Sequence, residues 1–306
     1  MNFVSFELSI ASLIPALCLA AYVFFSDRVD KEPIPLLALL LALGGAAYLP
    51  AFALEKLTTR GFDKLFAPFA TFDLSGNATY SSRLAELGHG LLITVIGVAL
   101  IEELTKWAVM FFITRKNKNF NCLFDGLVYG TFTALGFAVI ENIRYAYIGG
   151  WDTLLLRSIT SVPGHLYFGI IMGYFFTMWR VYKTAKAAEK EYARRGLITV
   201  TKPFRSGGWF AAMLIIPIIQ HGAYALAGFF PSVAMDIIFY LMNLVLLIVC
   251  LISVHKMSGV DAIRGKYADA MLDAKYPQIK NLCDDVEEDL GISAADDGKE
   301  DESHGQ

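Results

Sequence analysis

The sequence predicts an all-α fold, a polytopic membrane helix bundle of about seven transmembrane helices with a disordered acidic C-terminal tail. Three observations predict it. Hydrophobic residues make up 56% and charged residues 18% of the 306 residues, against about 45–50% and 25% in soluble globular chains, and the mean hydropathy is +0.50. The apolar residues gather into stretches close to the ~20 residues that a helix needs to cross the hydrocarbon. The charges fall in the gaps between those stretches. No basic stripe interleaved with aromatics is present, which excludes a nucleic-acid surface.

In chain order the expected spans are 6–25, 34–54, 90–113, 127–148, 153–179, 208–229 and 234–255. The first lacks the basic region of a signal peptide, and bulky Leu17 before Cys18 argues against a lipoprotein, so it reads as a retained helix. Together residues 1–255 form the transmembrane domain. Residues 256–276 are expected to form a juxtamembrane amphipathic helix, and 277–306 the acidic tail, which has few large apolar residues. Cys18, Cys122, Cys250 and Cys283 form no CxxC pair, so neither a disulfide framework nor a cysteine zinc site is indicated.

Lys and Arg set the orientation. Loop 180–207 carries eight of them, and Arg115, Lys116, Lys118, Arg28 and Lys31 fall on the same side. Segments 149–152 and 230–233 carry none; only the long loop 55–89 dissents. The expected topology puts the N-terminus outside and the C-terminus in the cytoplasm.

Four consecutive spans carry polar residues that are expensive at bilayer depth, about 2.5–3.5 kcal/mol each for an ionised group at the centre. Span three holds Glu102, Glu103 and Lys106. The adjacent glutamates point about 100° apart, so they cannot do the same job. Lys106 is in reach of either at helical spacing; pairing with Glu102 would leave Glu103 freer, and the reverse assignment stays open, as does a purely structural Glu–Lys pair. Span four places Phe137, Glu141 and Tyr145 on one stripe, with Asn142 beside it and Arg144 as a possible neutraliser of Glu141. Span five holds His165 just after Pro163-Gly164, and span six holds His221-Gly222-Ala-Tyr224. A lone histidine in a span is more often a helix–helix hydrogen bond than a ligand. Four such accidents in neighbouring helices are less economical than one shared site.

Glu141, His165 and His221 could hold zinc or another divalent metal with one position open for water. Without metal, a glutamate can deprotonate water while a histidine stabilises the oxyanion. Both schemes are hydrolysis. A proton-coupled transporter is the rival use of buried Glu and His, although no inverted repeat of the spans supports it.

These motifs, in this order, resemble those of the PrsW proteases, bacterial membrane peptidases grouped with the type II CAAX prenyl endopeptidases. The likeness rests on Glu102-Glu103-x-x-Lys106-Trp107, Phe137-x-x-x-Glu141-Asn142-x-x-Tyr145, His165 and His221-Gly222-x-Tyr224. Two flanking signatures also fit, Asp27-Arg-Val-Asp-Lys-Glu32-Pro33 and Phe124-Asp125-Gly126-Leu-Val-Tyr129-Gly130. The resemblance covers residues 14–255. It implies a multi-pass protein of the bacterial cell membrane, in contact with lipids and with a membrane-anchored protein substrate such as an anti-sigma factor. It further implies catalytic roles for Glu102, Glu103, Glu141, His165 and His221, supported by Lys106, Asn142 and Tyr145. One departure stands out: Ala225 occupies the position, four residues after the last histidine, where such proteins tend to carry Asp or Asn. That leaves His221 in want of an orienting partner and keeps a catalytically silent scaffold as a third reading.

Overall fold

The computed structural model describes residues 3–72, 78–229, 233–259 and 264–279. The acidic segment 280–306, where most of the expected disordered tail falls, lies outside the described residues. The helices are α1 (Phe3–Ser26), α2 (Ile34–Phe66), α3 (Arg83–Leu91), α4 (Leu100–Thr114), α5 (Asp125–Ile159), α6 (Ser161–Arg194), α7 (Gly207–Phe229), α8 (Val233–Gly259) and α9 (Arg264–Lys275). A π-helical segment, Leu92–Ala99, joins α3 to α4 into one span. Six stretches of the described residues are long and apolar enough to cross a membrane, with Asp125–Arg194 (α5 and α6) counted as one that holds the fourth and fifth expected spans, and the start of the fifth, 153–159, belongs to α5.

The ends of the helices follow local chemistry. The prolines Pro33 and Pro35 open α2, where a missing N–H is no loss. The Ser82 side chain accepts from the Ala85 amide and caps α3. Within α5, Gly150 takes φ 69°, a left-handed conformation that glycine adopts without steric penalty. The chain turns there, so that the segment after it runs back along the segment before.

The α5–α6 hairpin is the buried centre of the bundle, and small residues let its two limbs touch. A Cβ added at Gly130 would stand 2.1 Å from the Gly169 carbonyl oxygen, and one at Gly173 would stand 2.0 Å from that of Gly126. Lipid tails give apolar helices little reason to associate, and close backbone approach through small residues supplies van der Waals contact instead. Around this hairpin α1, α2, α4 and α7 pack, whereas α8 shows Ile237, Leu241, Leu244, Val245 and Ile248 to the outside.

The polar connections are more structured than their composition suggested. α2 continues to Phe66, and Ala70–Phe72 pairs antiparallel with Ala78–Tyr80 in an expected loop. α6 continues past its apolar part to Arg194, beyond the expected span end at 179. Of the amphipathic helix expected over 256–276, α8 covers the residues up to Gly259 and α9 covers Arg264–Lys275, while 260–263 lie outside the described residues. Pro277–Ile279 forms a further 3₁₀ turn, and Ile279 is buried with Tyr192, Ile198 and Leu272.

α9 is held by one carboxylate on the α6 extension. Glu189 accepts hydrogen bonds from Lys275 Nζ, from the Tyr276 hydroxyl at 2.6 Å and from the Phe204 amide at 2.9 Å. Burial alone would raise its pKa, yet these donors hold it below the ordinary carboxylate value. Burial likewise pulls Lys275 down, and Glu189 more than reverses this and raises it. The Glu189 contribution is therefore fully present above the unfolded carboxylate pKa, about 4.3, and is lost as pH falls through the depressed folded value. That of Lys275 is lost only at alkaline pH. Limited pepsin digestion should accordingly open the α9 segment as the pH drops below 4, and Glu189→Gln should remove the pH dependence.

Candidate active site

Four helices deliver the buried polar residues to one place. The π segment leads directly into α4, which presents Glu102, Glu103 and Lys106 at 3%, 0% and 1% exposure. A π segment carries extra residues per turn and is frequent at functional sites; here it packs against α7. Gly222 is needed at that contact, since a Cβ there would lie 2.9 Å from Val95 Cγ2. α5 supplies Glu141 and Asn142. α6 opens at Ser161 after an irregular Thr160, so Pro163 lies in its first turn, where proline is tolerated, and His165 follows within the same helix start. α7 supplies His221.

The side chains form a continuous chain of contacts. Lys106 Nζ donates to Glu102 Oε2 at 3.0 Å, to Glu103 Oε1 at 2.8 Å and to His165 Nδ1 at 3.0 Å. An ammonium group has no acceptor capacity, so Nδ1 of His165 is the acceptor and the ring's proton sits on Nε2. Nε2–H then donates to Glu141 Oε2 at 2.7 Å. On the other side His221 Nδ1 lies 2.8 Å from Glu103 Oε1. A carboxylate can only accept, which puts the proton on Nδ1 and leaves Nε2 of His221 with a free lone pair, facing Glu102 Oε2 at 4.0 Å. The rings of His165 and His221 stand 5.8 Å apart and nearly perpendicular. Phe137 and Phe168 line the site: Lys106 Nζ lies 4.3 Å from the Phe137 centroid and Phe168 stacks on His221 at 4.8 Å.

All five expected catalytic residues thus come together, with differences in detail. Lys106 does not choose between the glutamates but bridges them. Glu103 is the more engaged of the two, bound to both Lys106 and His221. The three residues grouped from sequence as one metal-ligand set fall into two sets, Glu102–Glu141–His165 and Glu102–Glu103–His221, each with ligand atoms within 4.8 Å of one another. Glu102 is common to both. These buried oxygen and nitrogen donors fit a zinc-like ion, with Lys106 Nζ the cationic group already standing among them.

Arg144 is not the partner of Glu141. Its guanidinium lies over Phe52 at 4.2 Å. Arg157 takes that place: NH2 reaches Glu141 Oε2 at 2.7 Å and Ser161 Oγ at 2.8 Å, and Nε donates to Asn142 Oδ1 at 2.8 Å. Tyr145 packs under Arg157, 4.0 Å from centroid to guanidinium, and so faces the arginines rather than the histidines. The sequence signal that could have found Arg157 is its position in a span, near the glycine turn that folds its helix back along α5.

The missing partner of His221 is also explained. Glu103 holds Nδ1, the role a carboxylate at position 225 would otherwise take. Gln220 is turned away to the Tyr167 hydroxyl at 2.7 Å. The expected result for Ala225→Asp is therefore no gain in cleavage rate; a gain would mean that Glu103 leaves His221 loosely held.

The family described as "PrsW family intramembrane metalloprotease" matches residues 32–253. The chain is 33% identical over 165 residues to "Protease PrsW" of Oceanobacillus iheyensis, covering 54% of this chain and 66% of that protein. It is 23% identical over 220 residues to the protein of the same name from Bacillus subtilis, covering 72% and 81%, and 24% identical to that of Halalkalibacterium halodurans, covering 72% and 82%. The aligned part thus spans just under two thirds of the Oceanobacillus protein. No solved structure matches the chain.

Proposed function

This chain belongs to the PrsW family of intramembrane metalloproteases, and on that premise we propose that it hydrolyses a peptide bond of a membrane-anchored protein, of the kind an anti-sigma factor represents. The observation that carries the reading is the buried chain Glu141–His165–Lys106–Glu102/Glu103–His221, with the free Nε2 of His221 turned to Glu102. Water held between that nitrogen and Glu102 would lose a proton to the Glu102 carboxylate as its oxygen attacks the scissile carbonyl carbon. The Lys106 N–H that Glu102 releases on taking the proton, and the Nε2–H of His165 once it leaves Glu141, would donate to the oxyanion, charge stabilisation worth far more in a water-poor site than in bulk. Collapse of the tetrahedral carbon breaks the C–N bond, and the proton on Glu102 passes to the leaving amine. Glu103 orients His221, and Arg157 with Asn142 orients Glu141.

A zinc-like ion, if present, would be held by Glu102 with His221 and Glu103, or with His165 and Glu141, and would acidify the water and polarise the carbonyl. The Lys and Arg distribution supports an N-terminus outside, and membership of this family supports placement in the bacterial cell membrane. Cysteines introduced at Gly150 should then be labelled from outside without permeabilisation, and labelling only afterwards reverses the orientation.

The test of function is cleavage of a membrane-anchored, fluorescently tagged substrate by the purified protein in lipid. Proton flux in vesicles without cleavage would replace the protease by a transporter. Neither activity would leave a silent scaffold. Metal content separates the two chemical schemes: full activity of chelator-washed protein with far less than one metal per chain selects the glutamate–histidine route.

A further inference from the structure

Two sequence signatures take no part in that site, Asp27 to Pro33 and Phe124 to Gly130, and the fold brings them together. The connection between α1 and α2 lies against the head of α5. Asn121 Nδ2 donates to Asp30 Oδ2 at 2.8 Å and ties the two segments. Asp27, Glu32, Asp125 and Tyr129 beneath it are 1%, 3%, 0% and 0% exposed. Asp125 Oδ2 accepts from the amides of Asn121 and Cys122 at 2.8 and 2.7 Å. Its other oxygen, Oδ1, is buried with no hydrogen-bond partner, and the same holds for Glu32 Oε2.

The charges acting most strongly on Glu32 are Asp27 and Asp30, those on Asp125 are Glu32 and Asp27, all of one sign, and the Tyr129 hydroxyl is directed at Glu32. Lys31, the cation next to them in sequence, is occupied elsewhere, over the rings of Phe24 and Phe25 at 4.8 and 5.1 Å. Burial, with Asp27 and Asp30 adding to it, pushes Glu32 up to about 7 against the opposing contacts from Tyr129 and Asp125. Buried carboxylates of like charge settle either by keeping a proton or by taking a cation. A proton shared between Glu32 and Asp125 and a cation held by both are the two ways to settle these oxygens, the Tyr129 hydroxyl donating to Glu32 in the first and turning its oxygen to the ion in the second. The side-chain donor atoms of Glu32, Asp125 and Tyr129 are all oxygen, which selects a hard ion over zinc. One or two carboxylates with water completing the shell is how proteins commonly hold Mg²⁺.

We propose that Glu32, Asp125 and Tyr129, with Asp27 behind them, form a site for a hard divalent cation of the Mg²⁺ or Mn²⁺ class, which fastens the α1–α2 connection to the head of α5. The site is separate from the candidate active site. Glu141 lies further along the same helix, about 24 Å away at 1.5 Å per residue.

The experiment uses the purified full chain in lipid, with bound Mn²⁺ counted by electron paramagnetic resonance and melting followed during Mg²⁺ titration. Wild type and His165→Ala should both melt higher as Mg²⁺ rises, since the active-site variant leaves this site whole. Glu32→Gln should lose a single bound Mn²⁺ per chain and the Mg²⁺-dependent rise, and Tyr129→Phe should weaken binding several-fold. Glu32→Gln also guards against a folding artefact, because Glu32, unlike Asp125, caps no amides. The proposal is overturned if wild type shows no Mg²⁺-dependent rise, or if Glu32→Gln keeps both the ion and the rise. It is equally overturned if Glu32→Gln melts above wild type at every Mg²⁺ concentration while wild type is insensitive to the ion, which assigns the cluster to a shared proton.

Discussion

Replacing Glu102 with Gln is expected to lower cleavage of a membrane-anchored substrate by about 10²–10⁴-fold, the range a positioned general base contributes, while the protein still folds. The amide keeps the size of the side chain, and Lys106 retains Glu103 at 2.8 Å as its counter-ion. What goes is the one carboxylate common to both potential ligand sets and facing the free nitrogen of His221. Glu103→Gln should behave differently. It removes the acceptor that fixes His221 Nδ1, a loss of the kind that typically costs about 10–100-fold, and it weakens the hold on Lys106 as well. Side-by-side rates with matched expression and melting decide the assignment. Equal rates for wild type and Glu102→Gln would remove Glu102 from the chemistry.

Arg157→Ala carries the largest expected effect on stability. Its guanidinium and the Glu141 carboxylate are 18% and 11% exposed as side chains, so the pair is mostly buried at bilayer depth. Breaking a buried pair by removing one partner costs about 3–5 kcal/mol, because the survivor is left charged and unpaired. Asn142 and Ser161 lose donors in the same step. Arg157→Ala with Glu141→Gln should melt well above Arg157→Ala alone, as the stranded charge is then gone. Arg157→Lys should fold yet hold Glu141 poorly, since a single ammonium cannot reproduce a guanidinium that serves Glu141, Asn142 and Ser161 together. Near-wild-type melting of Arg157→Ala would show that water reaches Glu141 and screens it.

The spans were legible because hydropathy and length are properties of one segment at a time. Glu102, Glu103, Glu141, His165 and His221 were legible for the same reason: each is costly where it stands, whatever its neighbours. Partnerships were not. Arg144, one turn from Glu141, was the natural neutraliser on a single helix, and only the turn at Gly150 makes Arg157 the actual one. Ala225 suggested an unsupported His221, yet Glu103 lies 118 positions away in sequence and supplies the contact. The pairing of Ala70–Phe72 with Ala78–Tyr80 and the docking of α9 on Glu189 were hidden because three-residue strands and a helix of alternating polarity leave little pattern to read.

The π segment before α4 has a consequence for how this span can vary. Each residue added to or removed from an ordinary helix turns everything downstream by about 100° and moves it about 1.5 Å. Leu92–Ala99 is uniformly apolar or small apart from Thr94, so losing one of its residues would leave the hydropathy profile of the span nearly unchanged. It would nonetheless dial Glu102, Glu103 and Lys106 to a new bearing relative to His165 and His221. Chain length here works as an angular setting, and two homologues with indistinguishable profiles can differ by whether that setting is kept.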